Sequence, residues 1–168
     1  MTDLGSTSKY DAAAYDLASY NGIQPGATPT TALLYVVRAL LLADPTASDL
    51  LGSTSIGGTD VKSIYPARLP DTPIGYPATR LTKVSEIPNS TNGALKTRVQ
   101  IDCYASTYSI VQELAVAVRT ALSEAEWVGD TITILNAASV NSRDGDYDAE
   151  KRLYHAIEEI SFVWRYTP

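Results

Sequence analysis

The sequence predicts an α+β fold: a small, mostly antiparallel sheet with two main helices packed on one face, preceded by an N-terminal arm. Three observations carry that expectation. Residues 33–43 and 110–122 place apolar side chains at helical spacing. Residues 97–104 and 156–166 alternate apolar and polar side chains, as half-buried strands do. Clusters of Pro, Gly, Asn and Ser punctuate the rest, giving the order helix, strand, strand, strand, helix, strand, strand, which groups helices against an antiparallel sheet.

Residues 1–27 read as the arm and 28–168 as a single domain. The arm is rich in Ser, Thr, Gly and Ala, and Tyr10, Tyr15 and Tyr20 recur at even steps. Each step turns about 140° around a helix, so the three rings cannot share one buried stripe. Asn21-Gly22 and Pro25-Gly26 end any short helix begun near Asp11. Two readings stay open: a handle whose tyrosines dock on a neighbouring subunit, or a frayed terminus.

The first helix starts at Thr28-Pro29, where threonine can cap free amides and proline forfeits no hydrogen bond. Leu33, Val37, Leu40 and Leu41, widened by Leu34 and Val36, give it an apolar face covered on more than one side. Asp44-Pro45 stops it and caps a second, short helix, anchored by Leu50 and Leu51 and closed by Gly52. Residues 53–59 read as a Ser/Gly loop, 61–65 as a short strand ending at Pro66, and 67–77 as an extended, proline-punctuated loop. Residues 80–85 and 97–104 pair as a hairpin around Asn92-Gly93. In its second strand Val99, Ile101 and Cys103 face one way, and Arg98, Gln100 and Asp102 the other. In the first strand Leu81 and Val84 stand three apart, which predicts a bulge or an edge position. Ser106 or Thr107 caps the long helix. Residues 131–137 form the next strand and 143–150 an acidic loop. In the closing strand Ile160, Phe162 and Trp164 alternate with Ser161, Val163 and Arg165.

Composition narrows the function. The 168 residues are 45% hydrophobic, enough for one core, but only 19% charged, which fits a surface partly covered by other subunits. Thirteen Lys and Arg against nineteen Asp and Glu give a net charge of -6, the wrong sign for a dedicated nucleic-acid binder. The single cysteine, Cys103, excludes an intrachain disulfide. The chain does not open on a basic region followed by an apolar run, and the longest apolar run, 32–43, contains Arg38 and is too short for a bilayer. A protein made in the cytosol, with no membrane partner, is the expectation.

Catalysis has little to stand on. His155 is the single histidine, and no Gly-x-Ser-x-Gly turn presents a nucleophile. His155 therefore reads as structural or exposed and Cys103 as a small buried hydrophobe, with no catalytic residue and no cofactor expected. Asp144, Asp146 and Asp148 alternate as at the start of a calcium loop. Ala149, however, stands where that loop needs glycine, and His155 where it needs a bidentate glutamate, so a solvated loop without metal is expected. Arg80, Lys83, Lys96 and Arg98 gather on the hairpin. They read either as a solvated face or as a positive patch that meets a negative patch on an adjacent subunit.

Several strings, in this order, resemble the tail-completion, or tail-terminator, proteins of long-tailed bacteriophages. They are the apolar helix 33–43 ending in Asp44 with Leu50-Leu51-Gly52 beyond it, then Ile64-Tyr65-Pro66, then a loop ending Tyr76-Pro77. Val99-Gln100-Ile101-Asp102-Cys103-Tyr104-Ala105 follows, running through Thr107-Tyr108 into the helix 110–122, and the aromatic strand 160–164 closes the set. The resemblance spans residues 28–166 and is one of pattern and order; strand 80–85 is more polar than its counterpart. It implies a hexameric ring that caps the tail tube, ends its polymerisation and joins the tail to the head-side connector, with no reaction catalysed. It implies a homo-oligomer, the tube protein and the head-side connector or neck protein as partners, with the sheath protein added if the tail contracts. DNA would pass an acidic lumen without specific binding, with Asp144, Asp146 and Asp148 as lumen or interface residues. The implied location is the virion, and the host cytoplasm during assembly. The competing readings are another neck adaptor or tail component, and a metal-binding module built on the acidic loop and His155.

Overall fold

The computed structural model describes residues 29–56, 58–69, 74–89 and 93–167. Helix α1 (Pro29–Ala43) is followed by α2 (Pro45–Leu50), β1 (Ser53–Ile56), β2 (Thr59–Lys62), β3 (Ile64–Pro66), β4 (Ala78–Pro88) and β5 (Leu95–Ala105). The chain continues through α3 (Tyr108–Leu122), β6 (Trp127–Val128), β7 (Ile132–Asp144) and β8 (Tyr154–Tyr166). Six strands hydrogen-bond in the order β3-β4-β5-β8-β7-β6, antiparallel throughout except for β3 beside β4. β1 and β2 form a separate antiparallel pair. The result is an α+β fold with three helices among the described residues and a mostly antiparallel sheet, curled where bulges interrupt it.

Both long helices form where the periodicity places them. Asp44 caps α2 by accepting the Ala47 amide on Oδ1 at 2.8 Å, and Thr107 caps α3 by accepting the Ile110 amide at 3.4 Å. The Thr28 cap lies outside the described residues. Val111, Leu114, Val118 and Leu122 of α3 join Leu33, Val37 and Leu41 of α1 in the main apolar cluster. Its sheet side is Val99, Ile101 and Cys103 of β5 with Ile160, Phe162 and Trp164 of β8, all fully buried. Helix α3 lies against β8, β5 and β7, and α1 lies against α3, β3 and β4. The buried indole of Trp164 is satisfied by donating to Thr97 Oγ1 at 2.9 Å. No helix among the described residues is long and apolar enough to cross a membrane.

Four expectations change. Residues 53–59 are not a loop: Ser53–Ile56 and Thr59–Lys62 pair as a hairpin whose turn includes Gly58 at φ +82°. Hydroxyl side chains that suggested a loop bond to one another instead. Buried Thr54 Oγ1 lies 2.9 Å from Ser63 Oγ and 2.5 Å from Tyr65 Oη, and it accepts the Gly75 amide at 2.9 Å. The short strand predicted over 61–65 divides at Ser63 between β2 and β3. The hairpin strands reach beyond 80–85 and 97–104, to residues 78–88 and 95–105. The strand predicted at 131–137 runs on to Asp144, so Arg143 and Asp144 belong to β7 and not to an acidic loop; the two-residue β6 was not foreseen. The bulge expected near Val84 is present, as a register shift between Lys83 and Ser85.

Candidate assembly surfaces

Alternation along β5 and β8 sends one set of side chains into the core and the other away from it. Asp102 belongs by alternation to the outward set, yet it is fully buried. Its carboxylate is fully partnered. Oδ2 accepts from Arg80 Nε at 3.0 Å and Nη2 at 2.8 Å; Oδ1 accepts from Gln100 Nε2 at 2.8 Å. His155 Nε2 lies 3.0 Å from Oδ1, so the tautomer protonated there donates to it. Arg80 comes from β4 at the register position opposite Asp102, and Tyr104 stacks on His155 with ring centroids 4.6 Å apart. Gly145 backs onto the same imidazole: a Cβ at that position would collide with His155 Nδ1. Burial alone would push the Asp102 carboxyl up, but hydrogen bonds from His155, Arg80 and Gln100, with the Arg80 charge, outweigh it and hold the group below its ordinary value. Burial and neighbouring Asp102 push the Tyr104 hydroxyl up to about 12.

A lowered folded-state pKa adds stability that is present above the unfolded carboxylate pKa and is lost as pH falls through the folded value. Asp102→Asn is expected to cost about 2 kcal/mol at pH 7, with the gap to the parent narrowing below about pH 4. Urea unfolding at stepped pH measures this; a gap unchanged down to the acid limit of folding would refute it.

A second buried carboxylate sits on the opposite face of the same two strands. Glu158 accepts Arg119 Nε at 3.0 Å and Nη2 at 2.8 Å, and Ser142 Oγ at 2.6 Å. Asp144 accepts Tyr108 Oη at 3.0 Å and Gln112 Nε2 at 2.6 Å. These bonds tie α3 to β7 and β8 at two levels, and they fix how the helix sits on the sheet.

The residues singled out in the sequence divide as follows. Tyr10, Tyr15 and Tyr20 lie outside the described residues. Three of the hairpin cations stand in ion pairs: Arg80 with Asp102, Lys83 with Glu86 at 3.5 Å, and Arg98 with Glu159 at 3.5 Å. Arg143 reaches Glu159 from the other side at 3.6 Å. Lys96 is exposed on β5 opposite Ile87. The aspartates do not converge. Asp144 faces α3, Asp146 is exposed, and Asp148 bridges to Leu153 with Lys151 3.8 Å away. Among the described residues no group of three or more His, Cys, Asp or Glu could hold a metal. His155 braces Asp102, and Cys103 is buried, its thiol pushed up by that burial.

Sequence reasoning missed the apolar surface. The register shifts in β4 and β7 each leave one residue unpaired: Val84, Leu135 and Val140. All three are exposed, and Ile87 and Val116 add further uncovered apolar area at 57% and 53% exposure. A bulge re-aims a side chain, and here each bulge aims an apolar one into solvent. Broken alternation in these strands was the available signal.

Two comparisons bear on identity. The family model for "Tail completion protein gp17" matches residues 36–165. A chain from the virion of a native gene transfer agent (GTA) particle superposes with a TM-score of 0.58 at 17% identity, covering 76% of this chain and 90% of that one, a likeness of fold. No curated protein matches this sequence. The matched segment begins in α1 and ends in β8, taking in every strand and both helix-to-sheet braces, and the chain belongs to the tail completion protein gp17 family, structural proteins of the bacteriophage tail.

Proposed function

We propose that this subunit forms a ring, hexameric as in the terminators it resembles, that caps the finished tail tube, stops tube growth and joins the tail to the head-side connector. Residues 28–168 act as one assembling domain, with α1 and α3 on one face of the sheet and residues 1–27 as an arm. The observation that carries this reading, beyond family membership, is the set of apolar residues that the bulges hold in solvent. A chain with few charges and uncovered apolar side chains is suited to being buried between subunits. Its work is contact, with no bond made or broken. Tube protein, neck protein and, in a contractile tail, sheath protein are the partners; DNA slides through an acidic lumen held off by like charge. Asp144, Asp146 and Asp148, with the hairpin cations Arg80, Lys83, Lys96 and Arg98, are the proposed lumen and contact residues.

Light scattering on the purified full chain, with electron microscopy of tail tubes mixed with it, tests the reading. Rings and decorated tube ends are expected. A strict monomer that leaves tube ends bare would remove the proposal, and rings that bind only the head-side connector would favour a neck adaptor. Deleting residues 1–26 is expected to leave the melting temperature unchanged and to weaken assembly, because Tyr10, Tyr15 and Tyr20 then no longer dock on the neighbouring subunit. Unchanged ring formation would make the arm a bystander.

A further inference from the structure

Two surfaces of this subunit share a plan and differ in sign. Between α2 and α3 lies a groove of about 700 Å³ with Leu50 and exposed Val116 in its lining. Asp44, Asp49 and Glu113 line it too, and no Lys or Arg does. On the β4–β5 hairpin, exposed Ile87 pairs across the strands with Lys96, and the bulge at Val84 exposes a second apolar side chain; Lys83 next to it stands opposite Val99 and pairs with Glu86. Ile87, Lys96, Arg98 and Val140 line a smaller cleft of about 190 Å³ that carries no carboxylate. One surface is an acidic hollow with an apolar floor, the other a basic ridge with apolar flanks.

Pairing either surface with its own copy, as a two-fold dimer must, brings like charges together and is disfavoured. Pairing one with the other places unlike charges around a shared apolar contact. A contact between two different surfaces of one chain is head-to-tail, and it closes into a ring when its rotation divides a full turn. We propose that the hairpin of one copy, through Val84, Ile87 and Lys96, seats in the α2–α3 groove of the next copy. This rests on the ring reading and specifies the contact that builds it. Apolar burial supplies most of the association energy, and the carboxylates around the groove set register and reject wrong partners.

The full-length chain provides the test. Asp44 is left unchanged because it caps α2. Lys96→Glu alone and the pair Asp49→Lys with Glu113→Lys alone are each expected to weaken self-association about tenfold or more, and the three changes together to restore most of it. Glu113→Cys with Lys96→Cys in one chain is expected to give, on oxidation, a ladder of disulfide-linked oligomers absent from either single variant; fully buried Cys103 does not compete. Wild-type rings that form equally well with both charge reversals and give no ladder would overturn this contact while leaving the ring reading in place. A wild-type chain that never self-associates would overturn both. Charge reversals that abolish tube binding but not self-association would assign the groove to another virion protein and likewise overturn the proposal.

Discussion

Replacing Arg119 with alanine will lower stability by about 3 kcal/mol, because it strands a buried carboxylate. Glu158 has 1% of its side chain exposed, and Arg119 binds both of its oxygens, leaving Ser142 as the one other hydroxyl partner shown. Losing one member of such a pair costs far more than losing both, since the survivor keeps its desolvation penalty. Arg119→Leu with Glu158→Leu should therefore recover more than half of the loss, and denaturant unfolding of the single and double variants measures the coupling. A double variant as unstable as the Arg119 single variant would show that the stranded Glu158 carboxylate is not the source of the loss. Because these bonds pin α3 to β7 and β8, the single variant should also alter the α2–α3 groove without touching it.

The second large effect is expected at Gly75. The segment before β4 crosses the start of β1 so closely that the Gly52 amide donates to Pro77 O at 2.8 Å and the Gly75 amide to Thr54 Oγ1 at 2.9 Å. A Cβ on Gly75 would overlap the Ser53 carbonyl, and one on Gly52 would lie 2.6 Å from Gly75 O. Backbone blocks both positions, so no rotamer change relieves the clash. Gly75→Ala should cost about 3 kcal/mol, and hydrogen exchange should report faster exchange at Gly52, Ser63 and Gly75. A change below about 0.5 kcal/mol would mean that the crossing opens freely.

The helices and the central strands were legible because burial there follows simple periods. Val99, Ile101 and Cys103 alternate, α3 repeats at helical spacing, and Asp44 and Thr107 carry their own caps. What stayed hidden has physical reasons of three kinds. The β1–β2 hairpin is built on hydroxyls that read as loop until Ser63 and Tyr65 are seen to partner Thr54. Strand β7 has one register shift before Ala137 and another in the exposed run beyond it, so its period is lost halfway along. Asp102 sits at an outward position by alternation, and its burial depends on Arg80 and His155 arriving from two other strands. Cross-strand register, which the sequence does not state, decides that site. The family strings, by contrast, fall in α1, at the end of α2, in β3, just before β4, and in β5, α3 and β8, and the match over residues 36–165 takes them in almost complete.

The open margins of the sheet carry a consequence for how copies can join. Among the described residues, β3 covers β4 only to Leu81 and β6 covers β7 only from Thr133 to Ile134, so no further strand lies against the outer backbone of either long strand. A bare margin of that kind invites another chain to add itself strand by strand and grow a fibre without end. Val84 interrupts one margin and Leu135 and Val140 the other, so an incoming strand would lose register after a few residues. Runaway stacking through the main chain is disfavoured at the same irregularities that hold Val84, Leu135 and Val140 in solvent, so one local device both spoils the template for a fibre and leaves apolar side chains uncovered.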